Sequence, residues 1–225
     1  MENASAATVL VLAALYWGTV LAKMLRFRRK RGRSPVLVPT TLVEKILLTF
    51  WVLIIVVWFA QPIYLLFTET APVPVRLIPA FDRPVLKIAG NALIWPAYLV
   101  SLWAWRRMGR AWRLGIDQVQ TTRLVTDGPF AFCRHPIYAL QAVALLGSWF
   151  VLPTPLLGCV VPIHWVCVWL KAGVEERHMA EMHGDAYGQY CRECGRFVPK
   201  LWARRARSAQ SSTEREGSPR NARHS

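Results

Sequence analysis

Charge is missing from four long stretches of this chain. Residues 3–22, 46–67, 88–105 and 137–170 contain no Asp, Glu, Lys or Arg. The first three each approach the roughly 20 residues that a helix needs to cross about 30 Å of hydrocarbon. Acidic residues are scarce throughout, 13 against 28 Lys and Arg, and no polar stretch is long enough for a separate soluble domain. Repeated halves and paired mid-membrane charges are also missing, which sets aside a transporter. Apolar surface takes the place of charge: 54% of the residues are hydrophobic and eleven are Trp, a composition foreign to soluble domains of this size. The expected fold class is all-α, a multi-pass membrane helical bundle.

The fourth run is too long for one crossing and is interrupted by Pro153-Thr154-Pro155, which removes two amide donors and disfavours helix before each proline. It is expected to form a helical hairpin with arms of about 16 residues, or about 24 Å, short for a full crossing. That makes five membrane helices. Cations follow the first helix (Arg26, Arg28, Arg29, Lys30, Arg31, Arg33), follow the third (Arg106, Arg107, Arg110, Arg113), and recur near the C-terminus (Lys200, Arg204, Arg205, Arg207). Positive charge marks the cytosolic side. The N-terminus and the Pro-rich 68–86 loop are then outside, and both ends of the hairpin are inside. Charges follow the first apolar run instead of preceding it, unlike those of a signal peptide. Residues 1–105 are expected to supply three N-terminal transmembrane helices, and 106–202 a core of cytosolic loop, membrane hairpin and cytosolic helix. Residues 203–225 form a basic tail too poor in apolar residues to order. A short chain with no retention signal is expected in a bacterial plasma membrane, with the endoplasmic reticulum as the alternative.

A net charge of +15 raises the question of nucleic acid. Positive-inside topology already accounts for the basic clusters, and no aromatic platform or reading motif is interleaved with them. The expected partners are the lipid bilayer and its anionic headgroups, not nucleic acid. Cys191 and Cys194 have the spacing of half a zinc site, but no second pair follows. Cys133, His178 and His183 could complete one only by folding together, so no metal is expected. Cys159, His164 and Cys167 lie in the second hairpin arm, where a lone His is expected to bond a neighbouring helix. Pro62, Pro96 and Pro162 are expected to kink their helices.

The candidate site lies where charge returns at the mouths of the fourth run. Arg134-His135-Pro136-Ile137-Tyr138 stands at one end and Glu175-Glu176-Arg177 at the other. Ionisable groups beside hydrocarbon are costly unless paired or wet. A hairpin returns its two outer ends to the same side, so Arg134 and His135 are expected near Glu175 and Glu176. The helix is expected to continue through Lys171–Met182 into the cytosol as one wall of a cleft. Gly184, Tyr187, Tyr190, Arg196, Phe197 and Pro199 follow it.

Three segments carry a resemblance: Met108-Gly109-Arg110-Ala111-Trp112-Arg113-Leu114-Gly115-Ile116-Asp117, Leu124-Val125-Thr126-Asp127-Gly128-Pro129-Phe130, and Arg134-His135-Pro136-Ile137-Tyr138. With Glu175-Glu176-Arg177, Gly184-Asp185-Ala186-Tyr187, Tyr190 and Gly195-Arg196-Phe197-Val198-Pro199, residues 105–200 resemble the isoprenylcysteine carboxyl methyltransferase (ICMT) family. Leu140 stands where that family commonly has a small residue. The resemblance implies a multi-pass enzyme that takes methyl groups from S-adenosylmethionine on the cytosolic side and gives them to a lipidic or prenylated acceptor. By position it assigns Arg134, His135, Tyr138, Glu175 and Glu176 to the cofactor and Arg196 to the acceptor, and Tyr187 is added to the cofactor set for its aromatic face.

The residue types suit that chemistry. S-adenosylmethionine carries a sulfonium, an ammonium and a carboxylate, which call for carboxylates, a guanidinium and aromatic walls. A carboxylate acceptor, with a pKa of about 3.5, needs no base, whereas a lipid amine needs one and would draw on Glu176 or His135. Both acceptors stay open. So do a membrane reductase using NADPH, whose Arg-His-Pro segment commonly continues with Asn where Ile137 stands here, and a noncatalytic scaffold.

Overall fold

In lipid, every backbone N–H and C=O must find its partner within the protein, so the charge-free runs become helices. The computed structural model describes residues 2–32, 39, 41–68, 70–109 and 124–200. It holds five α-helices: α1 (Glu2–Arg31), α2 (Leu42–Phe67), α3 (Pro84–Met108), α4 (Pro136–Val151) and α5 (Pro155–Glu193). A 3-10 turn at Gly128–Ala131 precedes α4. Among the described residues there is no strand, and Cys133 and Gly195 form an isolated parallel bridge. The tail 203–225, Arg33, Arg110, Arg113, Arg204, Arg205, Arg207 and the motif residues from Arg110 to Asp117 lie outside the described residues.

Helix starts are written locally. Thr41 and Glu44 form a capping box, each side chain accepting from the other's backbone N–H at 3.2 Å. Prolines open α3, α4 and α5, where their missing N–H is harmless. Thr154 caps α5 by accepting from the Leu157 amide at 3.2 Å. Among the described residues four helices are long and apolar enough to cross a membrane: α1, α2, α3 and α5. The hairpin is present but unequal, because α4 has only 16 residues while α5 has 39.

The short arm is accommodated by a roof. Ile78 N–H donates to the Pro153 carbonyl, and Leu156 N–H to that of Pro74, both at 2.8 Å. Gln61 of α2 donates to the Thr154 hydroxyl, and Trp149 Nε1 to the Thr154 carbonyl at 3.2 Å. The loop after α2 therefore covers the hairpin turn and supplies the bonds that lipid would not.

One core unites the N-terminal helices and the hairpin. Val9 and Leu12 of α1, Ile54 and Trp58 of α2, Ile94 of α3, Leu145 of α4 and Val160 of α5 are buried in it, with Leu140 packed against its edge. Leu53, Val56, Leu99 and Trp103 face outward, as a lipid solvent permits. At the other end, Lys23 Nζ donates to the Trp105 carbonyl at 2.9 Å and Arg107 pairs with Asp127 at 3.1 Å. The described cationic ends of α1 and α3 therefore gather at the end that also carries Arg134.

One expectation needs correction. His164 is fully buried, yet neither ring nitrogen has a hydrogen-bond partner among the described residues, so it makes no interhelical bond there. Helices α2, α3 and α5 run through Pro62, Pro96 and Pro162, and α5 is also broken at Gly184, with φ +50° and ψ −127°. A positive φ suits a residue without Cβ.

The crossing of α3 and α4 depends on two glycines. A Cβ on Gly147 would lie 2.8 Å from the Gly90 carbonyl oxygen and 2.9 Å from Ile94 Cγ1, and one on Gly90 would lie 2.6 Å from the Gly147 carbonyl oxygen. Neither backbone can yield without parting the helices. Gly147→Ala should destabilise the detergent-solubilised protein by about 1–3 kcal/mol, seen as a lower unfolding temperature. Gly18→Ala, at a position with nothing within 4 Å, should not.

Candidate active site

Two backbone bonds assemble the site. Arg134 N–H donates to the Gly195 carbonyl at 2.8 Å and His135 N–H to that of Arg196 at 3.0 Å. The segment entering α4 is thereby zipped to the segment leaving α5. The break at Gly184 comes before the residues that complete this joint. Beyond it, Tyr190 OH donates to the Phe130 carbonyl at 2.7 Å, and the Cys194 carbonyl accepts from Arg134 Nη1 at 2.6 Å.

At the centre stands Glu176 of α5. Its Oε1 accepts from Arg134 Nε and Nη2 at 3.1 and 2.9 Å and lies 3.2 Å from His135 Nε2. Its Oε2 accepts from Arg196 Nε and Nη2 at 3.0 and 2.8 Å. Glu175, one residue earlier, accepts from Tyr138 OH at 2.5 Å and lies 3.6 Å from His135 Nδ1. The His135 and Tyr138 rings stack at 5.7 Å with 8° between planes. Arg196 also lies over Trp169, at 4.7 Å.

Six of the seven residues singled out from the sequence thus form one contact network: Arg134, His135, Tyr138, Glu175, Glu176 and Arg196. Tyr187 makes no direct bond to these six. It is buried with Tyr190 and Cys194, near enough to the network to feel the charges of Glu176 and Arg134. Lys171, Trp51 and Trp169 border the network without having been singled out. A cation four residues before Glu175 was the available signal for Lys171, and nothing local marks Trp51. Among the described residues no group of three or more His, Cys, Asp or Glu is placed to hold a metal ion.

Residues 85–186 match the phospholipid methyltransferase family model. The matched stretch runs from α3 to just beyond the break in α5. It is 28% identical over 95 residues to the nickel-cobalt-cadmium resistance protein NccN of Alcaligenes xylosoxydans xylosoxydans, covering 42% of this chain and 45% of that protein. It is 27% identical over 96 residues to the cobalt-zinc-cadmium resistance protein CzcN of Cupriavidus metallidurans, covering 42% and 44%. The chain spans less than half the length of these curated relatives. It is also similar to the structure of a eukaryotic intramembrane Ras methyltransferase, ICMT, with a TM-score of 0.48 and 17% identity over 73% of this chain and 55% of that one.

Within the stretch that matches this family model the charges are interlocked. Glu176 is only 18% exposed, so its partners are little screened by solvent. Two guanidiniums and an imidazole on one carboxylate keep it ionised. Burial by itself disfavours a charged His135, yet the hydrogen bonds and charges of Glu175 and Glu176 outweigh it, and the ring's pKa is raised above the ordinary imidazole value. A raised folded-state pKa gives stability that is fully present below the unfolded value of about 6.5 and lost as pH climbs through the folded value. The unfolding temperature in detergent should therefore fall as pH rises above about 6.5, and His135→Gln should flatten that slope.

Proposed function

We propose that this chain is an integral-membrane methyltransferase that uses S-adenosylmethionine from the cytosolic side and methylates a lipidic or amphipathic acceptor, such as the carboxylate of a prenylated cysteine. One observation carries the reading: Arg134, His135 and Tyr138 meet Glu175 and Glu176 in one network at the inner mouth of the hairpin, inside the family-matched stretch.

The donor set fits the cofactor. Glu175 and Glu176 answer an ammonium, Arg134 a carboxylate, and the stacked faces of His135 and Tyr138 a sulfonium. These five residues would hold S-adenosylmethionine, with Tyr187 close enough to feel the charges of Glu176 and Arg134. When bound, the cofactor supplies an electrophilic methyl group. Arg196 would orient the acceptor, and Glu176, bonded to both guanidiniums, fixes Arg196 relative to Arg134. Positioning of this kind supplies several kcal/mol of rate. A carboxylate acceptor is ionised at neutral pH and needs no base. An amine must lose a proton, and Glu176, accepting from two guanidiniums, is a weak base for it. The two curated relatives are named for metal resistance, but the described geometry offers no cluster that favours direct metal binding.

Calorimetric titration of the detergent-purified protein tests the reading. S-adenosylmethionine and S-adenosylhomocysteine should bind, and Glu175→Gln should weaken both by about tenfold or more, or about 1.4 kcal/mol. Glu175 is the better target because Glu176 also holds two arginines in place. Binding of NADPH alone would point to a reductase, and binding of none by folded protein to a scaffold.

A further inference from the structure

Lys171 stands apart from the other cations at the site. Arg134 and Arg196 give their Nε and Nη2 donors to Glu176, and His135 lies between both carboxylates. Lys171 Nζ instead sits 4.8 Å from the Trp51 ring centroid and 5.6 Å from that of Tyr138. Among the described residues, rings and no oxygen lie within bonding reach of this ammonium. Glu175, four residues along α5, feels its charge without reaching ion-pair distance.

The cage is fixed from outside the family-matched stretch. Trp51 belongs to α2 and is itself held edge-on by Trp17 of α1 at 5.2 Å and 74°. Helices α1 and α2 therefore pin a lysine of α5 beside Tyr138 of α4. An interfacial lysine with no such cage extends its head toward water. This one is held at the junction of the apolar run and the site, with three N–H donors unspent and hydrocarbon below.

We propose that Lys171 is an anion anchor for the acceptor: its ammonium, positioned by Trp51 and Tyr138, receives the carboxylate or phosphate of an anionic amphiphile whose tail lies in the bilayer. The proposal rests on the methyltransferase reading and narrows it. The acceptor carries a negative headgroup, and helices α1 and α2 take part in selecting it.

The full-length protein is reconstituted in phosphatidylcholine nanodiscs doped separately with oleyl phosphate, oleate, oleyl alcohol or oleylamine. Amphiphile retained after exchange into maltoside detergent is quantified by mass spectrometry, and S-adenosylhomocysteine binding is titrated in parallel. Wild type should retain the two anionic probes over the alcohol and the amine. Lys171→Gln should lower that retention about tenfold, Trp51→Phe should lower it less, and Lys171→Arg should largely restore it. S-adenosylhomocysteine affinity should be unmoved. Equal retention of oleyl alcohol overturns the proposal. So does an equal loss in Lys45→Gln, which removes an exposed cation of α2 and would show general attraction to the interface. Loss of S-adenosylhomocysteine binding in Lys171→Gln with probe retention intact reassigns the ammonium to the cofactor's carboxylate and also overturns it. If wild type binds no S-adenosylhomocysteine yet retains the anions through Lys171, the methyltransferase reading fails and the anchor stands.

Discussion

Everything at the charged end of this bundle depends on one carboxylate. Glu176 receives Arg134 from the segment before α4 and Arg196 from the segment after α5, with His135 at its Oε1. These groups come from places distant in sequence, and each carries a charge that the membrane edge would otherwise penalise. Removing the shared anion leaves two guanidiniums and an imidazole facing one another while partly buried, a far costlier arrangement than the loss of one surface ion pair. Sequence, packing and electrostatics meet there, because the hairpin exists to bring its two ends together and Glu176 is what they find.

The membrane sets the rest of the architecture. A 16-residue α4 falls short of a crossing, so the turn at Pro153–Pro155 must be satisfied inside the protein, and the loop containing Pro74 and Ile78 does this. Backbone contact at Gly90 and Gly147 brings α3 against α4 and so delivers Arg107 to Asp127 just ahead of the 3-10 turn. Helices α1 and α2 lie outside the family-matched residues yet share the core, and α2 supplies Trp51. Their part in the site is physical, whatever their ancestry.

Much of this was legible in the sequence because lipid leaves few alternatives. An uncharged run of helix length can only be a helix, and two prolines in a run too long for one crossing can only be a turn. The meeting of Arg134 and His135 with Glu175 and Glu176 followed from hairpin geometry alone. Other features depended on tertiary contacts that no local pattern encodes. The roof over the turn is made by main-chain bonds that any residue could form. The helix assignment of α5 continues through Pro162, since a proline's lost bond is tolerated within a packed membrane helix, and breaks at Gly184, where a positive φ diverts the chain. Tyr187 shared an aromatic side chain with Tyr138 and so was grouped with it, but the path after Gly184 buries it with Tyr190 and Cys194. Lys171 and Trp51, 120 positions apart, are joined only by the packing of α2 on α5.

A double-mutant cycle between Arg134 and Glu176 tests most directly whether the shared carboxylate holds the charged end together. Arg134→Gln, Glu176→Gln and the double variant would be compared with wild type by equilibrium unfolding in one detergent. The account predicts a coupling energy of about 1–3 kcal/mol, with the double variant less destabilised than the sum of the single ones. Effects that add to within about 0.5 kcal/mol would contradict it and show that Arg134 and Glu176 stand close without depending on each other.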